Sequence, residues 1–122
     1  LQISLVPQDT GFLRGELGAF IAQRGLDETL FKAILRKFDF PRVQFEKPME
    51  RYSAGQRKKV LLAASLCDRA HLYIWDEPLN YIDVFSRIQL EELLPAYRPT
   101  LLFVEHDAAF CDRIATGILP LS

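Results

Sequence analysis

Near the middle of the 122-residue chain, Leu72-Tyr73-Ile74-Trp75 runs without a polar residue and stops at two adjacent carboxylates, Asp76 and Glu77. A short uninterrupted apolar run predicts a strand buried on both faces, as in a parallel sheet covered by helices. Ligands in such sheets bind beyond the carboxyl ends of the strands, so Asp76 and Glu77 emerge where chemistry is expected. Taken alone, Asp76-Glu77-Pro78 reads equally well as a solvated turn.

The rest of the chain narrows the surroundings of that strand. A content of 49% hydrophobic residues supplies one core, and 15 basic against 16 acidic residues gives no bulk preference for nucleic acid. Cys67 and Cys111 sit in apolar helical patterns without Cys-x-x-Cys or histidine spacing, which predicts buried reduced thiols in a cytosolic protein rather than a metal or disulfide framework. No apolar run reaches the roughly 18 residues of a membrane span, and Leu1 to Pro7 has neither the basic flank nor the length of a signal peptide. A cytoplasmic location is expected. Leu1 to Val6 reads as a strand with no lead-in, as in a piece of a longer protein.

Helical periods follow. Leu17, Phe20 and Ile21 predict a short helix over Glu16 to Gln23, stopped at Gly25. Asp27 is a natural N-cap for a helix over Glu28 to Lys37, with a Leu26/Phe31 staple and an apolar face of Leu30, Phe31, Ile34, Leu35 and Phe38. Phe40 to Arg51, with Pro41 and Pro48, predicts an irregular connection. Ser53 with Gln56 has capping-box spacing for a helix to Cys67. Asp83 caps a helix presenting Val84, Ile88, Leu93 and Leu94 and ending near Pro95. Thr100 to Val104 predicts another strand, leading to Glu105-His106-Asp107, then a short helix with Phe110 and Ile114 and a last strand within Gly117 to Leu121. The expected organisation is a helical lobe, about 12–68, between a first strand and a βαβα half, giving an α/β core from 1–11 and 69–122.

Three further features carry candidate chemistry. Asp76 and Glu77 suit Mg²⁺ with phosphates, since this ion takes oxygen ligands and keeps most of its waters; the second carboxylate could orient or deprotonate water. Tyr52-Ser53-Ala54-Gly55-Gln56-Arg57-Lys58-Lys59 starts a helix with three cations, against the macrodipole. Either the terminus holds a phosphate or the cations extend into solvent. His106 follows a strand beside the carboxylates, where it reads as a structural or a catalytic histidine. His71 has no comparable argument. Gln8, in a polar turn after the first strand, can turn a carbonyl oxygen toward a metal and water.

In this order, the glutamine turn, helical lobe, Ser-x-Gly-Gln helix start, apolar strand with Asp-Glu-Pro, and strand with histidine resemble the ATP-binding cassette superfamily from its Q-loop to its switch histidine. The resemblance implies a partial P-loop NTPase-like nucleotide-binding domain: the helical subdomain plus the Walker B half of a mainly parallel sheet. It implies that Gln8 is the Q-loop residue, Tyr52 to Gln56 the signature, with Ser53, Ala54, Gly55 and Gln56 facing nucleotide, and Leu72 to Asp76 Walker B. It further makes Asp76 and Gln8 holders of Mg²⁺, Glu77 the catalytic glutamate, Asn80 to Asp83 the D-loop, and His106 the histidine that contacts the γ-phosphate of ATP. Tyr52 and Ala54 stand where the commonest signature has Leu and Gly.

The sequence contains no Gly-x-x-x-x-Gly-Lys-Ser/Thr and no Gly-Lys pair, so the Walker A cradle, which the family places upstream of the Q-loop, is expected outside this chain. Asn80 and the run Trp75 to Asp83 resemble most the ABC-F proteins, cytosolic two-cassette ATPases acting on the ribosome, and within them the antibiotic-resistance group. That implies a second cassette as partner, with the signature closing over its ATP, while the missing Walker A cradle predicts a 122-residue piece without ATPase activity of its own. Unpaired sheet edges make self-association of the piece an expectation. Two other readings are the nucleotide-binding domain of a membrane transporter and a nonenzymatic interaction module.

Overall fold

The computed structural model describes residues 3–68, 72–97 and 101–104. In chain order these form β1 (Ile3–Val6), α1 (Leu17–Arg24), α2 (Glu28–Lys37), two 3-10 turns (Arg42–Glu46 and Met49–Arg51), α3 (Ala54–Cys67), β2 (Leu72–Asp76), α4 (Val84–Tyr97) and β3 (Leu101–Val104). The strands make a parallel sheet in the order β1-β2-β3, with Val6 beside Trp75 and Asp76 beside Val104. Parallel pairing brings the carboxyl ends of β1 and β2 together, and with them the loops carrying Gln8 and Glu77.

Local chemistry sets the helix limits. Asp27 accepts the Leu30 N–H at 3.1 Å at the start of α2. At its end Asp39 turns left-handed (φ 56°) and the Phe40 N–H reaches back to the Leu35 carbonyl, a Schellman closure. Gly25, at φ 71°, stops α1 as its position predicts. Asp83 caps α4 by accepting the Ser86 N–H at 3.0 Å. The connection before α3 is pinned by aromatics: Phe40 stacks on Phe45 and meets Tyr52 edge-on at 5.3 Å between centroids.

Helix α3 is the central element, buried from Lys58 through Leu66. It lies against β1 on one side and α2 on another. Its C-terminal half is fastened to the sheet by a polar chain. The Trp75 indole N–H donates to Ser65 Oγ at 2.8 Å, Ser65 and Ser4 hydroxyls lie 2.7 Å apart, and Ser4 donates to Asp68 Oδ2 at 2.6 Å. Each hydroxyl has one proton, so Ser4, which gives its own to Asp68, must receive that of Ser65. Arg24 closes the chain with an ion pair to Asp68 at 2.6 Å. Trp75 is fully buried there; removing 150–250 Å² of such a side chain from water contributes on the order of 4–6 kcal/mol.

Several expectations are corrected by this packing. The central strand is not buried on both faces: Trp75 is, but Tyr73 and Ile74 are half-buried, and on β1 Ile3 and Leu5 are exposed while Ser4 and Val6 are buried. On β1 exposed and buried residues thus alternate, as along a one-sided strand. In α2 Leu30 lies outside the buried face. Helix α4 continues past Pro95 to Tyr97, and it turns Ser86, Leu90 and Leu94 inward while Val84 and Ile88 are exposed. The buried face is set by Ser86, whose hydroxyl lies 2.8 Å from the Phe38 carbonyl. Cys67 is half-buried rather than buried, and burial, reinforced by Asp68, pushes its thiol up to about 11. Thr100, His71, Cys111, the Glu105-His106-Asp107 run and the final helix and strand expectations lie outside the described residues.

Candidate functional site

The site begins where β1 and β2 end. Gln8, in the loop after β1, donates its side-chain amide to Glu77 Oε2 at 2.9 Å. Donation through nitrogen keeps the Gln8 carbonyl oxygen as the group that can face a cation. Asp76 closes β2, and Glu77, immediately beyond it, has a left-handed backbone at φ 47°. A non-glycine residue held there costs on the order of 1–3 kcal/mol, and such residues cluster where side-chain direction matters more than backbone comfort. A second left-handed residue, Tyr81 (φ 66°), follows four positions on. Between them the Asn80 N–H bonds the Glu77 carbonyl and the Ile82 N–H bonds the Leu79 carbonyl, so the segment after Glu77 is a tight double turn.

The start of α3 abuts that double turn. A Cβ on Gly55 would lie 2.5 Å from the Tyr81 carbonyl oxygen, so the glycine is required by the backbone of this same chain. Ser53 and Gln56 form the full capping box: Gln56 N–H donates to Ser53 Oγ at 3.1 Å and Ser53 N–H to Gln56 Oε1 at 3.0 Å. Gln56 Oε1 also accepts from Gln44 Nε2 at 2.8 Å. Ala54 is the first helical residue and half-buried. Tyr52 is buried, its hydroxyl donating to the Gln44 carbonyl at 2.6 Å; burial, then Glu16, pushes its pKa up to about 12.

The three cations of the helix start are each bonded within the chain, and the two lysines are buried rather than extended into solvent. Arg57 donates to the Tyr52 carbonyl at 2.6 Å and to Thr10 Oγ1 at 3.3 Å. Lys58, fully buried, donates to the Pro7 carbonyl at 3.2 Å. Lys59 forms an ion pair with Asp83 at 2.8 Å. Partial burial works against the charged form of Asp83, but bonds from Lys59 and Ser86 outweigh it and hold its pKa down at about 2. Arg87 grips the same turn from α4, donating to the Ile82 carbonyl at 3.0 Å and the Leu79 carbonyl at 3.3 Å.

The structure thus joins Gln8 with Glu77 and seats Gly55 and Lys59 on the turn ending in Asp83. It does not describe His106. Sequence reasoning missed Lys58, Lys59, Tyr81 and Arg87 as organisers of the site. The signal was present in the unfavourable cations at the α3 terminus, but apart from Tyr52 their partners lie in loops distant in sequence. The donors fit an Mg²⁺ ion held mainly by water and phosphate oxygens: Asp76 supplies a carboxylate at the end of β2 and Gln8 an amide oxygen in the loop after β1, and no cluster of three or more His, Cys, Asp or Glu occurs among the described residues. No helix among the described residues is long and apolar enough to cross a membrane.

A family model for "ABC transporter" matches residues 1–80. The chain belongs to the ABC transporter family of ATP-binding proteins. It is 37% identical over 89 residues to the ribosome protection protein VmlR of Bacillus subtilis, covering 73% of this chain and 16% of that protein. It is 36% identical over 86 residues to the ATP-binding protein Uup of Caulobacter vibrioides, covering 70% of this chain and 14% of the relative. Among solved structures, an ATP-binding subunit of an ABC transporter superposes with a TM-score of 0.78 at 21% identity, over 93% of this chain and 52% of that one. The fold is that of an ABC nucleotide-binding domain in part, and the chain spans about a sixth of these curated relatives. The family is one of ATPases that use ATP with Mg²⁺, and its members similar to this chain include the ABC-F proteins Uup and VmlR.

Proposed function

We propose that this chain is the Q-loop-to-switch-histidine portion of an ABC-F ATPase that couples ATP binding and hydrolysis to action on the ribosome, in the antibiotic-resistance group of such proteins. The observation that carries the catalytic reading is the Gln8–Glu77 hydrogen bond, with Glu77 held left-handed at the end of β2. The ribosomal reading rests on 37% identity to a ribosome protection protein.

In this reading Asp76, with the carbonyl oxygen of Gln8, holds Mg²⁺, which when bound supplies charge neutralisation at the transferring phosphoryl group. Glu77 orients the attacking water and takes its proton. His106 contacts the γ-phosphate, a role that rests on the resemblance alone. Ser53, Ala54, Gly55 and Gln56 face the ATP of a second cassette, and Asp83 lies in the loop between the two. The helical lobe, about 12–68, is the part that presents this signature. The protein acts in the cytoplasm. With no Gly-Lys pair in its sequence, the 122-residue chain alone does not turn over ATP.

The experiment is Glu77→Gln in the complete natural chain. Turnover is expected to fall by a factor of about 10²–10⁴ while an ATP-bound form accumulates; unchanged hydrolysis overturns the assignment. ATP turnover by the 122 residues alone, lost in Glu77→Gln, overturns their predicted inactivity.

A further inference from the structure

Lys58 and Lys59 are adjacent on α3, yet they hold two loops that meet only at the site. Lys58 donates to the Pro7 carbonyl, one residue before Gln8. Lys59 pairs with Asp83, which ends the double turn whose first hydrogen bond is made to the Glu77 carbonyl. One helix turn therefore fixes the backbone on both sides of the 2.9 Å Gln8–Glu77 bond. Arg87 clamps the middle of the double turn, and the Gly55–Tyr81 approach leaves no room between it and α3. The turn thus cannot move independently of the helix start.

We propose that Lys58 and Lys59 are positioning residues for the Gln8–Glu77 pair, so that a displacement of the α3 terminus is passed through Asp83 and the double turn to the Glu77 carboxylate. The inference rests on the reading of Glu77 as the catalytic base. A rigid link suits such coupling, because Glu77 sits in a left-handed backbone well that a small change of the following turn can destabilise.

The Lys59–Asp83 pair provides the test, since Lys58 is fully buried and its replacement endangers folding. In the complete natural chain, the Glu77-dependent part of ATP turnover is measured for Lys59→Met, Asp83→Asn, the double variant, Lys59→Arg and the exchanged pair Lys59→Asp/Asp83→Lys. Lys59→Met is expected to lower kcat about tenfold while leaving KM for ATP within about twofold, as misplacement of a catalytic group does. The double variant is expected to be no slower than the slower single one, and Lys59→Arg to restore kcat. If Lys59→Met does not fold, the exchanged pair decides, with kcat above that of Asp83→Asn supporting the link. Multiplying losses in the double variant, a rise in KM at unchanged kcat, or an exchanged pair no faster than Asp83→Asn overturns it. Absence of Glu77-dependent turnover in the unmutated chain overturns the functional reading instead.

Discussion

Gln8 and Glu77, separated by 69 positions in sequence, are joined by a 2.9 Å hydrogen bond in which the amide donates and the carboxylate accepts. The bond exists because β1 and β2 are parallel neighbours in register, Val6 beside Trp75, so the residues two positions after each member of that pair meet. Replacing the donor by an acceptor tests this directly. In Gln8→Glu two carboxyl groups face each other and cannot both ionise freely, so one pKa is expected to rise by about 1 unit or more. Carboxyl-detected NMR titration checks it; two carboxyls titrating at ordinary values would show that the pair is not formed.

Gly55 and Gly18 make a matched comparison. Both are helical, but a Cβ on Gly18 meets nothing within 4 Å, whereas on Gly55 it meets the Tyr81 carbonyl at 2.5 Å. Gly18→Ala is expected to stabilise by about 0.5–1 kcal/mol through helix propensity. Gly55→Ala is expected to destabilise by about 1–3 kcal/mol, because the intruded atom is backbone oxygen and the turn is held by Arg87. Denaturant midpoints of the two variants decide; equal gains would mean that the close approach is relaxed in solution.

Ser65 receives the only indole proton in the chain, that of Trp75, and hands its own to Ser4. Ser65→Ala leaves the indole N–H and one Ser4 lone pair without a partner in a dry setting. The expected loss is about 1–3 kcal/mol, with a blue-shifted Trp75 emission as the local readout. A loss under about 0.5 kcal/mol, as at ordinary surface sites, would count against an intact proton chain.

Acid titration probes the Lys59–Asp83 ion pair. With its pKa lowered from the ordinary carboxylate value to about 2, Asp83 contributes stability that is fully present above about pH 4 and is lost as pH falls through about 2. Asp83→Asn is therefore expected to flatten the stability profile between about pH 4 and 2 while lowering stability at neutral pH. Because the Asp83 side chain is half-exposed, the contribution should shrink in high salt. Thermal melts across that pH range, with and without salt, measure both effects.

The exposed apolar residues of β1 give a prediction about association. Ile3 and Leu5 are 53% and 52% exposed on β1, which lies at one edge of the sheet formed by the described residues, an apolar surface open to a second copy. The 122-residue chain is expected to self-associate at high concentration, and Ile3→Lys with Leu5→Lys to reduce that association. Light scattering from a strict monomer at all concentrations would contradict it.

Local grammar fixed much of what was legible in the sequence. Asp27, Ser53 with Gln56, Asp83 and Gly25 mark helix limits through bonds that reach only three or four residues, so their neighbours in sequence are their neighbours in space. The apolar run ending in Asp76-Glu77 marked strand β2 for the same reason. What tertiary structure alone decided was which face each element buries and what the charged side chains hold. Ile88 is exposed and Ser86 buried because Phe38, just past the end of α2, presents a carbonyl there. Three cations at a helix start look misplaced until the Pro7, Thr10, Tyr52 and Asp83 oxygens converge on them. Their favourable partners arrive only when parallel strand pairing brings the two loops to one end of the sheet, and no period or propensity encodes that meeting.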